Sequence, residues 1–227
     1  RGTVFFGFST NTYDAEGEAV SPQTAPVFTR EELEQWLNHF RGTFMQTPPA
    51  VSAKKIDGVP AYKLARKKID VEIPPVEVTI TNLQIVSFNL PEVVLDVECS
   101  AGTYIRTLAH DLGSLAKCGA HLSSLIRTQS GDFSLTQSRT MDELKVLAEE
   151  GRFGEVIIPS ADLLPEFPRC VVDGVTATQI RQGRDFRTSP FADQQSSRYI
   201  KAIDSDGVLL AIGEVRMPNL YHPVLVF

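Results

Sequence analysis

Residues 93–107 constrain the fold of this chain more tightly than any other stretch. Over residues 93–99, Val93, Leu95, Val97 and Cys99 fall on one face, the pattern of a strand half in the core. Ser100-Ala101-Gly102 then turns the chain, and Ile105, Leu108, Leu112 and Leu115 recur at helical spacing. A strand feeding straight into a helix is therefore expected, and Arg106 lies in that helix's first turn. The backbone dipole disfavours a cation there by roughly 0.3 kcal/mol. No acid stands three or four positions away on the same helix to offset it, while Ala109 and Gly113 share its face and permit close approach of another segment. Such an arginine needs a partner elsewhere: a buried carboxylate, a phosphate, or both. The plainer alternative is a structural arginine reaching a sheet carbonyl or a surface acid. Spacing alone leaves both open.

With 227 residues, 42% of them hydrophobic, the chain can bury a real core as one large or two small domains. Acids outnumber bases by 28 to 22, so a generic nucleic-acid binder is disfavoured and any polyanion site must be local. Locality is what the sequence offers. Between Lys54 and Lys68 the cations are Lys54, Lys55, Lys63, Arg66, Lys67 and Lys68, against Asp57 alone. In an acidic chain that excess suits a phosphate-backbone contact, the alternative being a solvated basic loop. Cys99, Cys118 and Cys170 are widely separated and form no C-x-x-C pair, which argues against structural zinc and for reduced, cytosolic thiols. No apolar run approaches the roughly 18 residues of a membrane span, and no signal-peptide pattern is present. The chain opens on what reads as a strand already under way, without an initiator methionine, as if cut from something longer.

Along the chain, the polar run from Ser9 to Gly17 carries turn chemistry after that first strand. Thr29 with Glu32 forms a capping box, and Phe28 with Leu33 a hydrophobic staple, for a helix through Trp36, Leu37 and Phe40 that stops near Gly42. Pro48, Pro49, Gly58 and Pro60 mark an extended loop, and residues 61–66 can start a short helix. Strands are expected at 76–80 and 82–88. A second capping box, Thr140 with Glu143, starts a helix running to Gly151. Pro159, Pro165 and Pro168 then set off the end of the chain. There a helix over 177–182, stopped by Gly183, precedes three strands, the first two joined by a hairpin turn at Ser205-Asp206-Gly207. His121 has no second ligand at metal spacing and is expected to be structural. Phosphate-binding, nucleotide-binding, nucleophile-elbow and zinc-protease motifs are all missing from the sequence.

Several short motifs occur in register: Gly102-Thr103-Tyr104-Ile105-Arg106-Thr107, Asp111-Leu112-Gly113, Cys118-Gly119-Ala120-His121-Leu122, and Leu125-Ile126-Arg127-Thr128 with Gly131 and Phe133. Upstream stand Asn11-Thr12-Tyr13-Asp14-Ala15-Glu16-Gly17, Phe40-Arg41-Gly42, Gln46-Thr47-Pro48-Pro49, Ser52-Ala53-Lys54, Gly58, Tyr62 and Ala65-Arg66. Together they resemble the pseudouridine synthases of the TruB family over residues 1–164. Residues 165–227 resemble the PUA-like RNA-binding module that ends bacterial members.

The resemblance implies an α+β fold: a mixed, largely antiparallel sheet with flanking helices, then the small β-rich PUA-like domain. It implies a catalytic domain over 1–164 carrying a thumb-like insertion at about 43–75, and an RNA-binding domain over 165–227. The activity implied is isomerisation of the tRNA T-loop uridine at position 55 to pseudouridine, by base flipping and aspartate attack, with no cofactor and no metal. Arg106 matches the arginine that pairs with that aspartate, and Tyr104 and Leu125 match positions that contact the flipped base. Lys54, Lys55, Lys63 and Arg66 fall in the thumb that closes over RNA. The implied partner is tRNA, gripped at T-arm and acceptor stem by a cytoplasmic, membrane-free monomer. The family's Gly-x-x-Asp-Pro segment, which carries the nucleophile, would precede Arg1, and none of Asp14, Asp57, Asp96 or Asp111 sits in such a motif; the chain alone is expected to be inactive. Lys68 stands where glycine is common, and Val76 near where a basic residue is usual. The rival expectation is a tRNA-binding or RNA-folding protein without catalysis; a third is a domain of a larger ribonucleoprotein.

Overall fold

Residues 93–99 do form a strand, and its neighbours lay out the first sheet. In the computed structural model, which describes residues 1–227 apart from 53, 57, 62, 64–72 and 190–196, the chain begins with β1 (Gly2–Phe6), α1 (Arg30–Leu37) and β2 (Gly42–Gln46). The short pair β3 (Lys55–Ile56) and β4 (Val59–Pro60) precedes the long antiparallel strands β5 (Val76–Asn89) and β6 (Glu92–Cys99). Next come α2 (Ile105–Leu115) and β7 (Ala120–Leu125). The five-stranded sheet runs β2-β5-β6-β1-β7 with every neighbouring pair antiparallel. Where two strands are expected at 76–80 and 82–88, one 14-residue strand forms. Its register against β6 shifts between Ile80 and Asn82 and again between Ile85 and Ser87, so bulges rather than a turn absorb the polar residues.

The core lies between this sheet and its helices. Val4, Phe6, Leu33, Leu37, Ile80, Leu83, Val93, Leu95, Leu108 and Leu112 are all buried in one cluster. Each such leucine contributes about 1.5–3 kcal/mol of hydrophobic stabilisation. The capping box of α1 is present as expected: Glu32 N donates to Thr29 Oγ1 at 3.2 Å and Thr29 N to Glu32 Oε2 at 2.7 Å. Trp36 packs on the core against Phe28. His121 is buried between the rings of Phe5 and Phe8, its Nδ1 3.2 Å from Phe8 O, a structural role.

Gly113 explains how closely α2 approaches β7. A Cβ there would stand 2.1 Å from Ala120 N, so only glycine lets the helix lie against the start of that strand. Gly119, at φ +74°, makes the return, its N–H donating to Gly113 O at 3.1 Å.

The chain divides into two compact units, Arg1–Ser130 and Gly131–Phe227. The sequence boundary at 164/165 falls inside the second. Short strands β8 (Gln129–Ser130) and β9 (Phe133–Ser134) flank the division. The second unit continues with α3 (Met141–Glu149), β10 (Arg169–Val171), α4 (Gly174–Arg181), β11 (Phe186–Arg187), β12 (Tyr199–Ile203), β13 (Leu209–Met217) and β14 (Leu220–Val226). Its sheet order is β10-β12-β13-β14-β11, antiparallel except for the parallel β10–β12 pair, so the α+β expectation with a small β-rich end is met. Helix α4 starts earlier than its apolar residues suggest because Asp173 caps it, accepting from Thr176 N at 2.7 Å. Asp204 organises the β12–β13 turn, accepting from the N–H groups of Asp206 and Val208, with Gly207 at φ +81°.

Candidate active site at the start of α2

Helix α2 begins without a side-chain cap of its own. Its N-cap is Tyr104, and instead Gln46 at the end of β2, itself buried, pairs with that residue's backbone. Gln46 Oε1 accepts from Tyr104 N at 2.8 Å and Gln46 Nε2 donates to Tyr104 O at 3.1 Å. The amide acts as a borrowed strand, satisfying a helix-end donor that would otherwise be orphaned. Thr107 Oγ1 adds a bond to Thr47 O at 3.4 Å. The segment leading toward the expected thumb is thereby tied to the helix start.

Arg106 is the hub. Its Nη1 donates to Asp14 Oδ2 at 2.8 Å and to Thr12 O at 3.4 Å, and its Nη2 donates to Val51 O at 3.0 Å. Both ion-pair partners are mostly sheltered, with side-chain exposures of 24% for Arg106 and 20% for Asp14. The partner that the helix position demands is thus a carboxylate 92 residues earlier in the chain, on the polar loop after β1. Among the described residues three of the guanidinium's five N–H groups find acceptors, leaving two.

Asp14 is held from both oxygens. Thr12 Oγ1 donates to its Oδ1 at 2.6 Å and Glu16 N at 3.1 Å, opposite the Arg106 bond to Oδ2. Burial alone would raise its pKa, but the Thr12 hydroxyl, Arg106 and the Glu16 N–H outweigh it and hold the carboxyl below its ordinary range. A carboxylate so fully engaged is a fixed counter-ion, poorly suited to attack. The loop is anchored to β7 through Leu122 N to Tyr13 O, 2.9 Å, and Ala15 N to Leu122 O, 3.0 Å. Two further titratable groups lie on α2 beside it. Burial pushes His110 down and raises Asp111 to about 6.

Tyr104, half-buried, stands at the helix N-cap, two residues before Arg106. Leu125, at the end of β7, is 54% exposed, an apolar side chain offered to solvent. Lys54 and Lys63 are exposed, and Lys55 stands in β3. Arg66, and most of the short helix expected around it, lie outside the described residues. Sequence reasoning missed Asp14 and Gln46 as site residues. The signal for Asp14 was an acid two residues after Thr12 and three before Gly17, the pattern of a side-chain-nucleated turn rather than of a solvated loop. Among the described residues no group of His, Cys, Asp and Glu could hold a metal ion, and no helix is long and apolar enough to cross a membrane.

Comparison with known proteins follows the same geometry. The family model described as TruB family pseudouridylate synthase (N terminal domain) matches residues 1–105, and that described as tRNA pseudouridylate synthase B C-terminal domain matches residues 106–164. The Asp14–Arg106 pair therefore joins the two matched regions. The tRNA pseudouridine synthase B of Solibacter usitatus is 50% identical over 226 residues, covering 100% of this chain and 77% of that protein. The protein of the same name from Caldanaerobacter subterraneus is 36% identical over 214 residues, covering 94% and 72%. Among solved structures, an H/ACA ribonucleoprotein bound to a substrate RNA containing 2′-deoxyuridine superposes with a TM-score of 0.64 at 18% identity. That match covers 99% of this chain and 65% of the other, and it speaks to fold alone. Family models and relatives agree: the chain belongs to the TruB family of pseudouridylate synthases.

Proposed function

We propose that this polypeptide is a tRNA pseudouridine synthase acting on the T-loop uridine at position 55. The observation that carries the reading is Arg106, fixed at a helix start by Asp14 and Val51 with two N–H groups free of acceptors among the described residues, in a chain of this family. In the reaction the uridine is flipped out of the loop and an aspartate attacks the nucleoside. The bond between N1 and C1′ breaks, the base rotates, and C5 bonds to C1′ as the aspartate's own bond to the nucleoside breaks and frees its carboxylate. C5 then loses its proton and N1 gains one, so atoms balance without an oxidant or a cofactor. The attacking aspartate comes from polypeptide preceding Arg1, and the two N–H groups of Arg106 that find no acceptor among the described residues receive it. A bidentate arginine holds a carboxylate in one orientation and keeps it ionised, which an attacking group needs.

Tyr104 and Leu125 contact the flipped base, the exposed apolar surface of Leu125 suiting a nucleobase face. Residues 43–75 act as the thumb, with Lys54, Lys55, Lys63 and Arg66 meeting phosphates, and Gln46, Thr47 and Val51 anchor its base to the helix that carries Arg106. The module over 165–227 grips the acceptor stem. The enzyme works as a cytoplasmic monomer.

The test is conversion of one uridine in a T-arm stem-loop transcript by the full natural polypeptide, read by mass spectrometry of the nucleosides. Conversion at that uridine, lost in a variant with its position changed to cytidine, is expected. Tight binding with no conversion would instead identify an RNA binder. Neutralising Lys54, Lys63 and Arg66 together should flatten the dependence of log K on log salt by about 2. An unchanged slope would remove the thumb from the RNA interface.

A further inference from the structure

Tyr13 is an unexpected residue for its backbone. At φ +65° it occupies the left-handed region, where glycine or asparagine sits more readily, and a bulky ring is uncommon. Its ring is nonetheless well placed. It stacks on His110 with centroids 3.9 Å apart and planes 15° from parallel. His110 is one helical turn beyond Arg106 on α2, and Tyr13 directly precedes Asp14. The imidazole Nδ1 is buried and has no hydrogen-bond partner among the described residues, so no polar contact at that atom fixes the ring, and the stack on Tyr13 holds that face. Burial also lowers the pKa of that ring, disfavouring its charged form beside Arg106.

The loop's own hydrogen bonds hold it together and tie it to β7. Thr10 Oγ1 donates to Asp14 O at 2.7 Å, Tyr13 N to Thr10 O at 3.2 Å, and Leu122 N to Tyr13 O at 2.9 Å. None of these reaches α2. The loop meets that helix at Arg106 and, independently, at the Tyr13–His110 stack. The bonds within the loop fix its carboxylate on the sheet side, and the stack adds a second contact with α2 beside the ion pair itself.

We propose that Tyr13 and His110 are positioning residues that set the angle at which Asp14 meets Arg106, and so aim the guanidinium's remaining N–H groups at the attacking carboxylate. This rests on the reading of Arg106 given above. Neither ring touches the reacting atoms; each acts through the ion pair.

The experiment measures single-turnover pseudouridine formation, RNA affinity and thermal stability in the full natural polypeptide. Tyr13→Asn keeps a side chain that accepts positive φ and removes only the ring. It should slow turnover at least about tenfold, in line with the cost of a small misplacement, with RNA affinity within about twofold. His110→Ala should do the same, the double variant should be no slower than either single one, and Tyr13→Phe should stay close to the parent. In Tyr13→Asn the Asp14 carboxyl, followed by NMR, should titrate nearer its ordinary range, a change that loss of stability alone would not produce. If Tyr13→Asn fails to fold, His110→Gln reads the same contact from the helix side. Turnover within about twofold of the parent in a folded ring-deleted variant overturns the proposal. So does a Tyr13→Asn effect that persists undiminished in an Asp14→Asn background, since the ring would then act elsewhere. Asp14→Asn at the parental rate would instead overturn the reading of the ion pair itself, which separates the two failures.

Discussion

Helices α2 and α3 are of similar length and invert each other's logic. Helix α3 has strong local signals at its start: a complete capping box from Thr140 and Glu143, Asp142 and Glu143 in its first turn, and an i,i+3 ion pair between Lys145 and Asp142. It buries none of its residues. Helix α2 has no side-chain cap of its own, no acid in its first turn, and an arginine where the dipole disfavours one. Yet it buries Thr107, Leu108, Ala109, Leu112 and Gly113. The first helix is specified by its own sequence and the second by what surrounds it. A cap contributes about 1 kcal/mol, a few buried leucines several times that, so packing can hold a helix end that local preference opposes. That surplus is what allows Arg106 to stand at a helix start where the backbone dipole disfavours it.

The comparison can be broken most forcefully in the core. Leu112→Ala, fully buried on α2, should cost about 3 kcal/mol in denaturant unfolding, and Leu147→Ala on α3 less than about 1 kcal/mol. Equal costs would mean that α3 has a packing partner equivalent to the core under α2.

A pH-dependent test comes next. Burial raises Asp111 to about 6, so the folded state holds its proton more tightly than the unfolded chain does. Stability must then fall as pH rises from the ordinary carboxylate range through about 6. Asp111→Asn should be more stable than the parent by about 2 kcal/mol at pH 8 and equal to it near pH 4. A constant difference across that range would show that the carboxyl is solvated in the folded state.

Smaller effects sharpen the contrast at the helix ends. Thr140→Ala should lower protection of the first α3 amides in hydrogen exchange by about 1 kcal/mol while leaving global unfolding nearly unchanged. Asp14 has the opposite linkage to Asp111. Its carboxyl is held below the usual range, so its contribution is complete above the unfolded pKa and is lost as pH falls through the folded one. Asp14→Asn should therefore be less stable than the parent at neutral pH, by a gap that closes in acid. A gap that instead widened in acid would contradict the ion pair.

The same contrast explains what could be learned from the chain as text. Both capping boxes, the strand through residues 93–99 and the β-rich end were legible, because each rests on neighbours in sequence. The need of Arg106 for an anion was legible too, since its cost is local. Which anion was not. Asp14 is 92 residues away and reaches the helix only because β1 and β7 pair and carry the loop with them. Gln46 escaped notice for a related reason, as an amide standing in for a strand has no periodicity. The single strand β5 looks like two in the sequence because its bulges preserve pairing across residues that resemble a break.

The central claim is that the guanidinium of Arg106, gripped by Asp14 and aimed by the fold, serves the chemistry rather than RNA binding. Arg106→Lys keeps the charge and removes the planar fork, so single-turnover pseudouridine formation by the full natural polypeptide isolates that geometry. The account predicts a loss of about 100-fold or more, with RNA affinity within about twofold and the fold intact. A lysine variant that turns over at the parental rate would contradict it.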